Sequence, residues 1–274
     1  MCYYIIRVEI YYLKEKTMLE VISTTKNKKY KYIKSLLQKK MRQSEGVYTV
    51  EGRKSVCDAI ESGCDILLIA VSESYFKEYG SNNGYESIIV KDELFGGLCD
   101  TKTPQGIIAV IGVPKTDKIS ISQDKLYVYC DNIQDPGNLG TIIRTADAAG
   151  LGGVMLSEGC ADAYSPKTVR SSMGAFFNID IITDFSHDRL FSLKDKGFAL
   201  VSGALTPDAK LYTNTDFTKP TVIIIGNEAN GVSEDILNNS EHIIIPIYGK
   251  AESLNAGVAA SIFMYEAVKQ RWDY

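Results

Sequence analysis

Six short apolar segments alternate with longer polar or amphipathic segments from residue 126 onward, and this alternation restricts the fold more than any other feature. Each segment is apolar at most positions, which is typical of strands buried on both faces of a parallel sheet. The intervening segments are long enough for the helices that connect parallel strands. The pattern predicts an α/β fold with a mostly parallel sheet covered on both faces. The six segments are LYVYC (126–130), GVMLS (153–157), IDIIT (179–183), FALVSG (198–203), TVIIIG (221–226) and HIIIPI (242–247).

A second, smaller series of strand-like and helix-like segments precedes the first, and a polar stretch separates the two. At 274 residues the chain is near the length at which a single core divides. We therefore expect an N-terminal α/β domain over residues 18–113, a linker over 114–124 and a C-terminal domain over 125–274. Residues 1–17, ahead of Met18, are interpreted as an extension.

Positive charge is concentrated near the N-terminus. Residues 1–54 contain 13 Lys and Arg against 5 Asp and Glu, a net charge of +8, whereas the rest of the chain has 17 against 29, a net charge of −12. Residues 26–42 hold eight basic residues and no acidic one, and residues 27–42 are predicted to form one helix.

A basic run of this kind is often only a solvated helix face. Here, however, like charges at helical spacing repel each other, and a phosphate backbone would relieve that repulsion. RNA suits the segment better than a membrane does, because the apolar strip beside the charges is narrow. The predicted RNA-binding residues are Lys26, Lys28, Lys29, Lys31, Lys34 and Arg53.

Several function classes are excluded or disfavoured by motif. The sequence contains neither the glycine fingerprint of dinucleotide-binding domains nor a P-loop. Its six cysteines are scattered and only two histidines accompany them, so we expect no metal site. No run approaches the roughly 20 apolar residues that span a bilayer, and no signal peptide is recognisable. We expect a cytoplasmic protein without a membrane partner.

Three segments in the C-terminal half place polar residues just after a predicted strand. They are DNIQDPGNLGTIIRTADAAG (131–150), TVIIIGNEANGVSEDI (221–236) and IIIPIYGKAESLNAGVAASIFMYEAV (243–268). In parallel sheets such positions meet at one edge, where ligands bind. Taken singly, each has a structural explanation: Asn138 and Ser253 as helix caps, and Glu228 as a solvated carboxylate. Arg144 is harder to explain, because its neighbours look buried and an unpaired guanidinium beside a core is costly.

The last predicted helix, 253–271, contains large apolar residues at spacings of three or four, which predicts that they face the core. They are Leu254, Val258, Ile262, Tyr265 and Val268. The small residues after Asn255 instead suggest a close backbone approach on one face of this helix.

Together and in this order, the three segments resemble the signature motifs of the SpoU (TrmH-type) ribose 2′-O-methyltransferases. The resemblance covers residues 125–274, and residues 18–113 are similar, more loosely, to the substrate-binding domain of the ribosomal RNA members. It implies the SPOUT fold, in which the carboxyl end of the sheet forms a deep trefoil knot. It also implies S-adenosylmethionine as cofactor, 23S ribosomal RNA as the expected substrate, and a homodimer that completes the active site.

The resemblance also implies roles for individual residues. The residues matching the catalytic positions are Asn138, Arg144, Glu228, Ser253 and Asn255. Those matching the cofactor pocket are Gly203, Ala204, Gly226, Asn227, Ile245, Ile247 and Leu254. Because a guanidinium is not deprotonated in proteins, we expect Arg144 to stabilise charge rather than to act as a base. The alternatives are a transfer RNA methyltransferase, a non-catalytic RNA-binding relative and an ordinary nucleotide-binding α/β enzyme.

Overall fold

The computed structural model describes residues 19–81, 84–114 and 120–271. The chain divides into two compact units between Val113 and Pro114. The predicted extension over 1–17 lies outside the described residues, as do residues 115–119 of the predicted linker, so both assignments stay predictions. Within the described ranges, no helix combines the length and the apolar character needed to cross a bilayer.

The N-terminal unit is a five-stranded mixed sheet with helices. The strands are β1 (Glu20–Ile22), β2 (Val47–Glu51), β3 (Ile66–Ser72), β4 (Ser87–Val90) and β5 (Ile107–Gly112). The helices are α1 (Lys28–Ser35), α2 (Lys39–Glu45), α3 (Arg53–Glu61), α4 (Glu73–Tyr79) and α5 (Asp92–Phe95), with a 3-10 turn at Gly96–Leu98. The strand order is β1-β4-β3-β5-β2. Strands β1, β4 and β3 are parallel, while β5 is antiparallel to both β3 and β2.

The single helix predicted over residues 27–42 is wrong, because the segment forms two helices, α1 and α2. Leu36 closes α1, and the backbone at Gln38 is extended. Arg42 folds back over this break: one Nη1 atom donates hydrogen bonds to the carbonyls of Leu36, at 2.7 Å, and Leu37, at 2.9 Å. These carbonyls lack helical partners, so the buried guanidinium satisfies them and is withdrawn from the basic surface.

The C-terminal unit is a seven-stranded sheet in which every pairing is parallel, in the order β10-β12-β9-β11-β6-β7-β8. The strands are β6 (Leu126–Cys130), β7 (Gly153–Leu156), β8 (Ile181–Ile182), β9 (Ala199–Gly203), β10 (Lys210–Leu211), β11 (Thr221–Ile225) and β12 (Glu241–Ile244). The helices are α6 (Pro136–Ala148), α7 (Pro166–Ser171), α8 (His187–Asp195), α9 (Glu234–Leu237) and α10 (Ala256–Arg271), with 3-10 turns at Ala175–Phe177 and Tyr212–Asn214. The predicted parallel α/β sheet is confirmed.

Helices cover both faces of this sheet. Tyr129 and Ile224 pack in one buried cluster with Leu190 of α8 and Ile236 of α9. Successive strand side chains point to opposite faces, and α6 and α10 pack on the other one. Helix α6 also packs against α7. The sheet is therefore a buried central layer, and its exposed functional groups lie in the loops at the strand ends.

The predicted core stripe of the last helix is wrong. Leu254 precedes α10, while Val258 is 46% exposed and Tyr265 49% exposed. The buried face holds mostly small residues instead, because α6 approaches so closely that a Cβ added to Gly257 would lie 3.1 Å from the Thr141 Cβ. The buried residues of α10 are Ala256, Gly257, Ala260, Phe263, Met264 and Ala267. The close backbone approach expected from the small residues is therefore present. It occurs on the face of α10 that the spacing of the large apolar residues had predicted to be exposed to solvent.

Candidate active site

A cavity of about 670 Å³ opens at the carboxyl ends of β9, β11 and β12. All the residues that the sequence assigned to the cofactor line it: Gly203, Ala204, Gly226, Asn227, Ile245, Ile247 and Leu254. Three of the residues assigned to catalysis, Glu228, Ser253 and Asn255, are also in its wall. Three loops that are far apart in sequence therefore meet around one space.

Glycine is required in this wall at two positions. A Cβ at Gly226 would lie 2.2 Å from the backbone carbon of Gly231 and from the backbone nitrogen of Val232. The loop folds back on itself there, with two backbone hydrogen bonds of 2.9 Å between Asn227 and Gly231. At Gly203 a Cβ would meet the Phe263 ring at 2.6 Å. Any larger side chain would displace backbone or ring atoms of the cavity wall.

A chain of side-chain hydrogen bonds joins the three motif segments at the cavity mouth. The Asn138 Nδ2 donates to the Glu228 Oε1 at 2.7 Å, and the Asn255 Nδ2 donates to the Asn138 Oδ1 at 2.8 Å. Both ends of the Asn138 amide are engaged, so its orientation is fixed by its neighbours. The sequence predicted that these residues would lie at one sheet edge, and the structure brings them into direct contact.

Glu228 also accepts hydrogen bonds from the backbone N–H groups of Gln134, at 3.2 Å, and Asp135, at 3.3 Å. Burial raises the pKa of the Glu228 carboxyl, but the hydrogen bonds from Asn138 and from backbone N–H groups outweigh it, so the net pKa lies below the usual value. The carboxylate therefore stays ionised at neutral pH and is a weak proton acceptor.

The helix caps differ from those predicted. Asp135, not Asn138, caps α6, because its Oδ1 accepts from the Asn138 backbone N–H at 2.9 Å. Asn255, not Ser253, caps α10 by accepting from the Val258 N–H at 3.2 Å. Asn255 thus combines two roles, since its Oδ1 caps the helix while its Nδ2 binds Asn138. Ser253 is exposed at the cavity.

Arg144 is exposed on α6, two turns beyond Asn138, and is not among the residues that line the cavity. The guanidinium was expected beside the core, and this expectation is wrong because Arg144 is exposed. Its neighbours Ile142 and Ile143 are buried, but Arg144 points to the opposite side of the helix. Among the described residues it has no hydrogen-bond or ion-pair partner.

A buried carboxylate anchors the far end of the loop that contains Glu228. The Asp131 Oδ2 accepts from both the backbone N–H and the hydroxyl of Ser233, each at 2.7 Å. At the near end, the Asn227 Nδ2 donates to the Asn132 carbonyl at 2.8 Å. Both anchors tie the loop to the segment after β6, so the two motifs form one rigid unit.

Sequence reasoning missed several cavity residues, notably Leu205, Thr206 and Phe263. The 204–209 loop that holds the first two lies outside the three motifs, and the family resemblance marked only its first residue, Ala204. Phe263 lies in the middle of α10, and only the close packing of that helix brings its ring to Gly203.

In the N-terminal unit, Lys26, Lys28, Lys31 and Lys34 are exposed. Lys29 differs, because its Nζ lies 2.8 Å from Glu86 and 3.2 Å from Glu20. These hydrogen bonds, first to Glu86 and then to Glu20, raise the pKa of Lys29. The Arg53 guanidinium lies 4.1 Å above the Tyr79 ring. Four of the six predicted RNA-binding residues therefore have side chains open to solvent, while Lys29 and Arg53 are engaged within the unit.

Comparison with known proteins agrees with this geometry. The model of the SpoU rRNA methylase family matches residues 125–265, and that of the MRM3-like substrate binding domain matches residues 27–109. The chain is 35% identical to the 23S rRNA (guanosine(2553)-2′-O)-methyltransferase RlmP of Bacillus subtilis, over 90% of this chain and 98% of that protein.

Two solved structures are similar over both units. The AdoMet-bound rRNA methyltransferase from Sinorhizobium meliloti has a TM-score of 0.84 and 29% identity, covering 93% of this chain and 99% of that one. The SpoU methyltransferase AviRb from Streptomyces viridochromogenes, in complex with AdoMet, has a TM-score of 0.79 and 30% identity, covering 89% and 99%. With the family match over the C-terminal unit, these similarities establish that the chain belongs to the SpoU rRNA methylase family.

Proposed function

We propose that this protein transfers a methyl group from S-adenosylmethionine to a ribose 2′-hydroxyl of 23S ribosomal RNA. The observation that supports this most directly is the hydrogen-bonded chain Glu228–Asn138–Asn255 at the mouth of the cavity. These hydrogen bonds place polar groups from all three motifs beside a cavity large enough for a small-molecule ligand. The relatives named as 23S rRNA 2′-O-methyltransferases support the same reaction and the same class of RNA.

The cavity fits this cofactor. Its volume lies within the range of about 300 to 1,000 Å³ that small-molecule sites occupy. Ile245, Ile247 and Leu254 provide apolar walls, and the wall at Gly226 has room for no side chain. The cofactor supplies a methyl group on a positively charged sulfur, which an oxygen nucleophile attacks.

The protein's own residues position the ribose and stabilise charge. The fixed Asn138 amide and the Glu228 carboxylate define the side of the site that a ribose approaches. Arg144 is the available cation: it stabilises negative charge developing on the attacking oxygen and binds the adjacent phosphate. We assign it to the site of a second copy of the chain, because its guanidinium lies outside the cavity wall of its own.

The direct test is incubation of the purified protein with tritiated S-adenosylmethionine and total RNA from cells lacking the protein. Label in the large-subunit ribosomal RNA, at a 2′-O-methyl site, is expected. Label confined to transfer RNA would favour the transfer RNA alternative, and RNA binding without label would favour a non-catalytic relative. Calorimetry with NAD and ATP checks the nucleotide-binding alternative.

The exposed lysines of α1 are expected to bind phosphates. Replacing Lys28, Lys31 and Lys34 together with glutamine should weaken RNA binding and reduce the slope of log affinity against log salt concentration by about two to three. Filter binding of a ribosomal RNA fragment between low and moderate salt measures the slope.

Lys29→Gln is the matched control for this prediction. It removes one charge from the same helix, but Glu20 and Glu86 already neutralise that charge. A slope change below one is expected. An unchanged slope in the triple variant would show that α1 does not contact the RNA backbone.

The exposed side of α10 supports a homodimer. Val258 and Tyr265 are exposed on α10, which packs against the helix that contains Arg144, and a second copy would bury these large apolar groups. Replacing Tyr265 with glutamate should convert a dimer to a monomer in analytical ultracentrifugation and abolish transfer. A dimer that persists would place the interface elsewhere.

Membership of the SpoU rRNA methylase family also leads us to propose that the C-terminal unit contains the trefoil knot and that the protein is cytoplasmic.

A further inference from the structure

His242 is a largely buried histidine in β12 with a 13% exposed side chain, and no catalytic or cofactor role has been assigned to it. Its Nε2 lies 2.9 Å from the Leu237 carbonyl at the end of α9. Its Nδ1 lies 3.0 Å from the Thr206 Oγ1 and 3.1 Å from the Asp208 carboxylate. One imidazole therefore bridges α9 and the 204–209 loop.

Both of these elements contribute to the cavity. Thr206 and Leu237 line it, together with Leu205, whose side chain is 66% exposed. The 204–209 loop has no helix or strand of its own, so contacts such as those to His242 fix its position. A change in the protonation of His242 would therefore affect the cavity wall through its contacts with Thr206 and Leu237.

The hydrogen-bond partners select the protonated ring. The Leu237 carbonyl can only accept from Nε2 and the Asp208 carboxylate can only accept from Nδ1, so the doubly protonated ring satisfies both contacts. In a neutral ring protonated on Nε2, the Nδ1 atom could accept only from the Thr206 hydroxyl, and its contact with Asp208 would be lost. The Thr206 hydroxyl also hydrogen-bonds to Asp208. In a neutral imidazole one nitrogen would present a lone pair to an acceptor, and that contact would weaken.

The electrostatic surroundings of His242 also favour the protonated ring. Burial lowers the pKa of His242, but the Leu237 carbonyl and the Asp208 carboxylate outweigh it, so the net pKa lies above the usual value of 6.5. A raised pKa means that the contacts are complete below pH 6.5 and are lost as the pH rises through the folded-state value. Of the other charged groups nearby, Lys210 and Glu241 bind each other at 3.0 Å. The neighbouring residues Ser202 of β9 and Ser240 of the turn before β12 are neutral.

We propose that His242 is a positioning residue for the cofactor, latching the 204–209 loop to α9 so that its protonation state sets cofactor affinity. The proposal rests on the proposed function, namely that this cavity binds S-adenosylmethionine. The latch acts through Thr206 and Leu237 rather than by touching the reacting atoms.

The test is calorimetry with S-adenosylhomocysteine, whose sulfur is uncharged, from pH 6 to pH 9. The Kd of the unaltered protein is expected to rise roughly five- to tenfold across this range. The variant His242→Gln should lose that dependence, and Asp208→Asn should shift it to lower pH, because the ring then keeps only the Leu237 carbonyl to raise its pKa. His187→Gln, which replaces the other histidine in the sequence and lies outside this cavity, should retain it. The ligand's own amino group titrates in this range, but identically with every variant, so the difference between variants is the readout.

NMR of the two histidine ring signals, assigned with His187→Gln, measures the ionisation directly. A folded-state midpoint for His242 above 6.5 is expected, and one below it would overturn the latch. A Kd whose pH dependence is the same in all four proteins would also overturn it while leaving the cofactor assignment intact. Absence of binding at every pH would overturn the proposed function and the latch together.

Discussion

Replacing Arg144 with alanine is expected to lower methyl transfer by about two to three orders of magnitude while leaving cofactor affinity nearly unchanged. The guanidinium is exposed, has no partner among the described residues, and lies on the same helix as Asn138. Its removal therefore creates no buried vacancy and should not destabilise α6. Single-turnover transfer and calorimetric cofactor affinity, measured on the same preparation, separate the two effects.

Arg189→Ala is the matched control, because it removes an exposed arginine that packs over Phe185 on the opposite face of the sheet. It should transfer methyl groups normally. Arg144→Lys distinguishes the effect of charge from that of geometry. Partial methyl transfer in this variant would indicate that a positive charge is sufficient, whereas no transfer would indicate that the planar, bidentate guanidinium is needed. Normal turnover in Arg144→Ala would remove this residue from the mechanism.

Replacing Gly226 with alanine is expected to weaken cofactor binding and to lower methyl transfer about 100-fold, which is the effect on rate of a displacement of about 1 Å in a catalytic site. The added Cβ would lie 2.2 Å from backbone atoms of Gly231 and Val232, which cannot rotate away as a flexible side chain would. The loop must therefore open, and Glu228 would move with it. Calorimetry with S-adenosylhomocysteine measures the loss.

Gly249→Ala is the control for the same cavity, because Gly249 lies in the loop between β12 and α10 and a Cβ there meets nothing within 4 Å. It should bind cofactor as the unaltered protein does. Equal affinity in both variants would show that the turn at Gly226 is not part of the cofactor site.

The Arg144 and Gly226 variants together test whether the site is shared. If Arg144 of one copy serves the cavity of the other, mixing the two inactive variants under conditions that exchange subunits should restore part of the activity. Recovery requires a dimer with one site that has both intact groups. No recovery, with exchange demonstrated, would place Arg144 at its own cavity.

The architecture of the C-terminal unit could be predicted because each predicted strand is apolar on both sides. A strand with no polar face must be shielded from water on both faces of its sheet. A sheet with helices packed on both faces provides this shielding. The order of the strands could not be predicted in this way. Strand β10 was also missed, since its two residues, Lys210 and Leu211, are exposed and contain no apolar run.

The last helix shows the limit of hydrophobic periodicity. Val258 and Tyr265 have the spacing of a core stripe, yet they face outward, while Gly257 and Ala260 are buried against α6. Periodicity identifies an apolar face but not what covers it. Here the distance between two helices, rather than side-chain hydrophobicity, decides which face is internal.

The sequence by itself determined the class of fold, the family and the residues that meet at one sheet edge, because strand ends and motif order are local properties. Only the tertiary structure decided which of those residues cap helices, which bind each other and which stay free. Asn255 caps α10 and also binds Asn138, Asp135 caps α6, and Arg144 has no hydrogen-bond or ion-pair partner within the described residues. The reason is physical: a polar side chain takes its role from the acceptors and donors within about 3 Å of it. The caps have partners three residues away, but the contacts of Asn138 with Glu228 and Asn255 join segments 90 and 117 residues apart, which only the tertiary fold brings together.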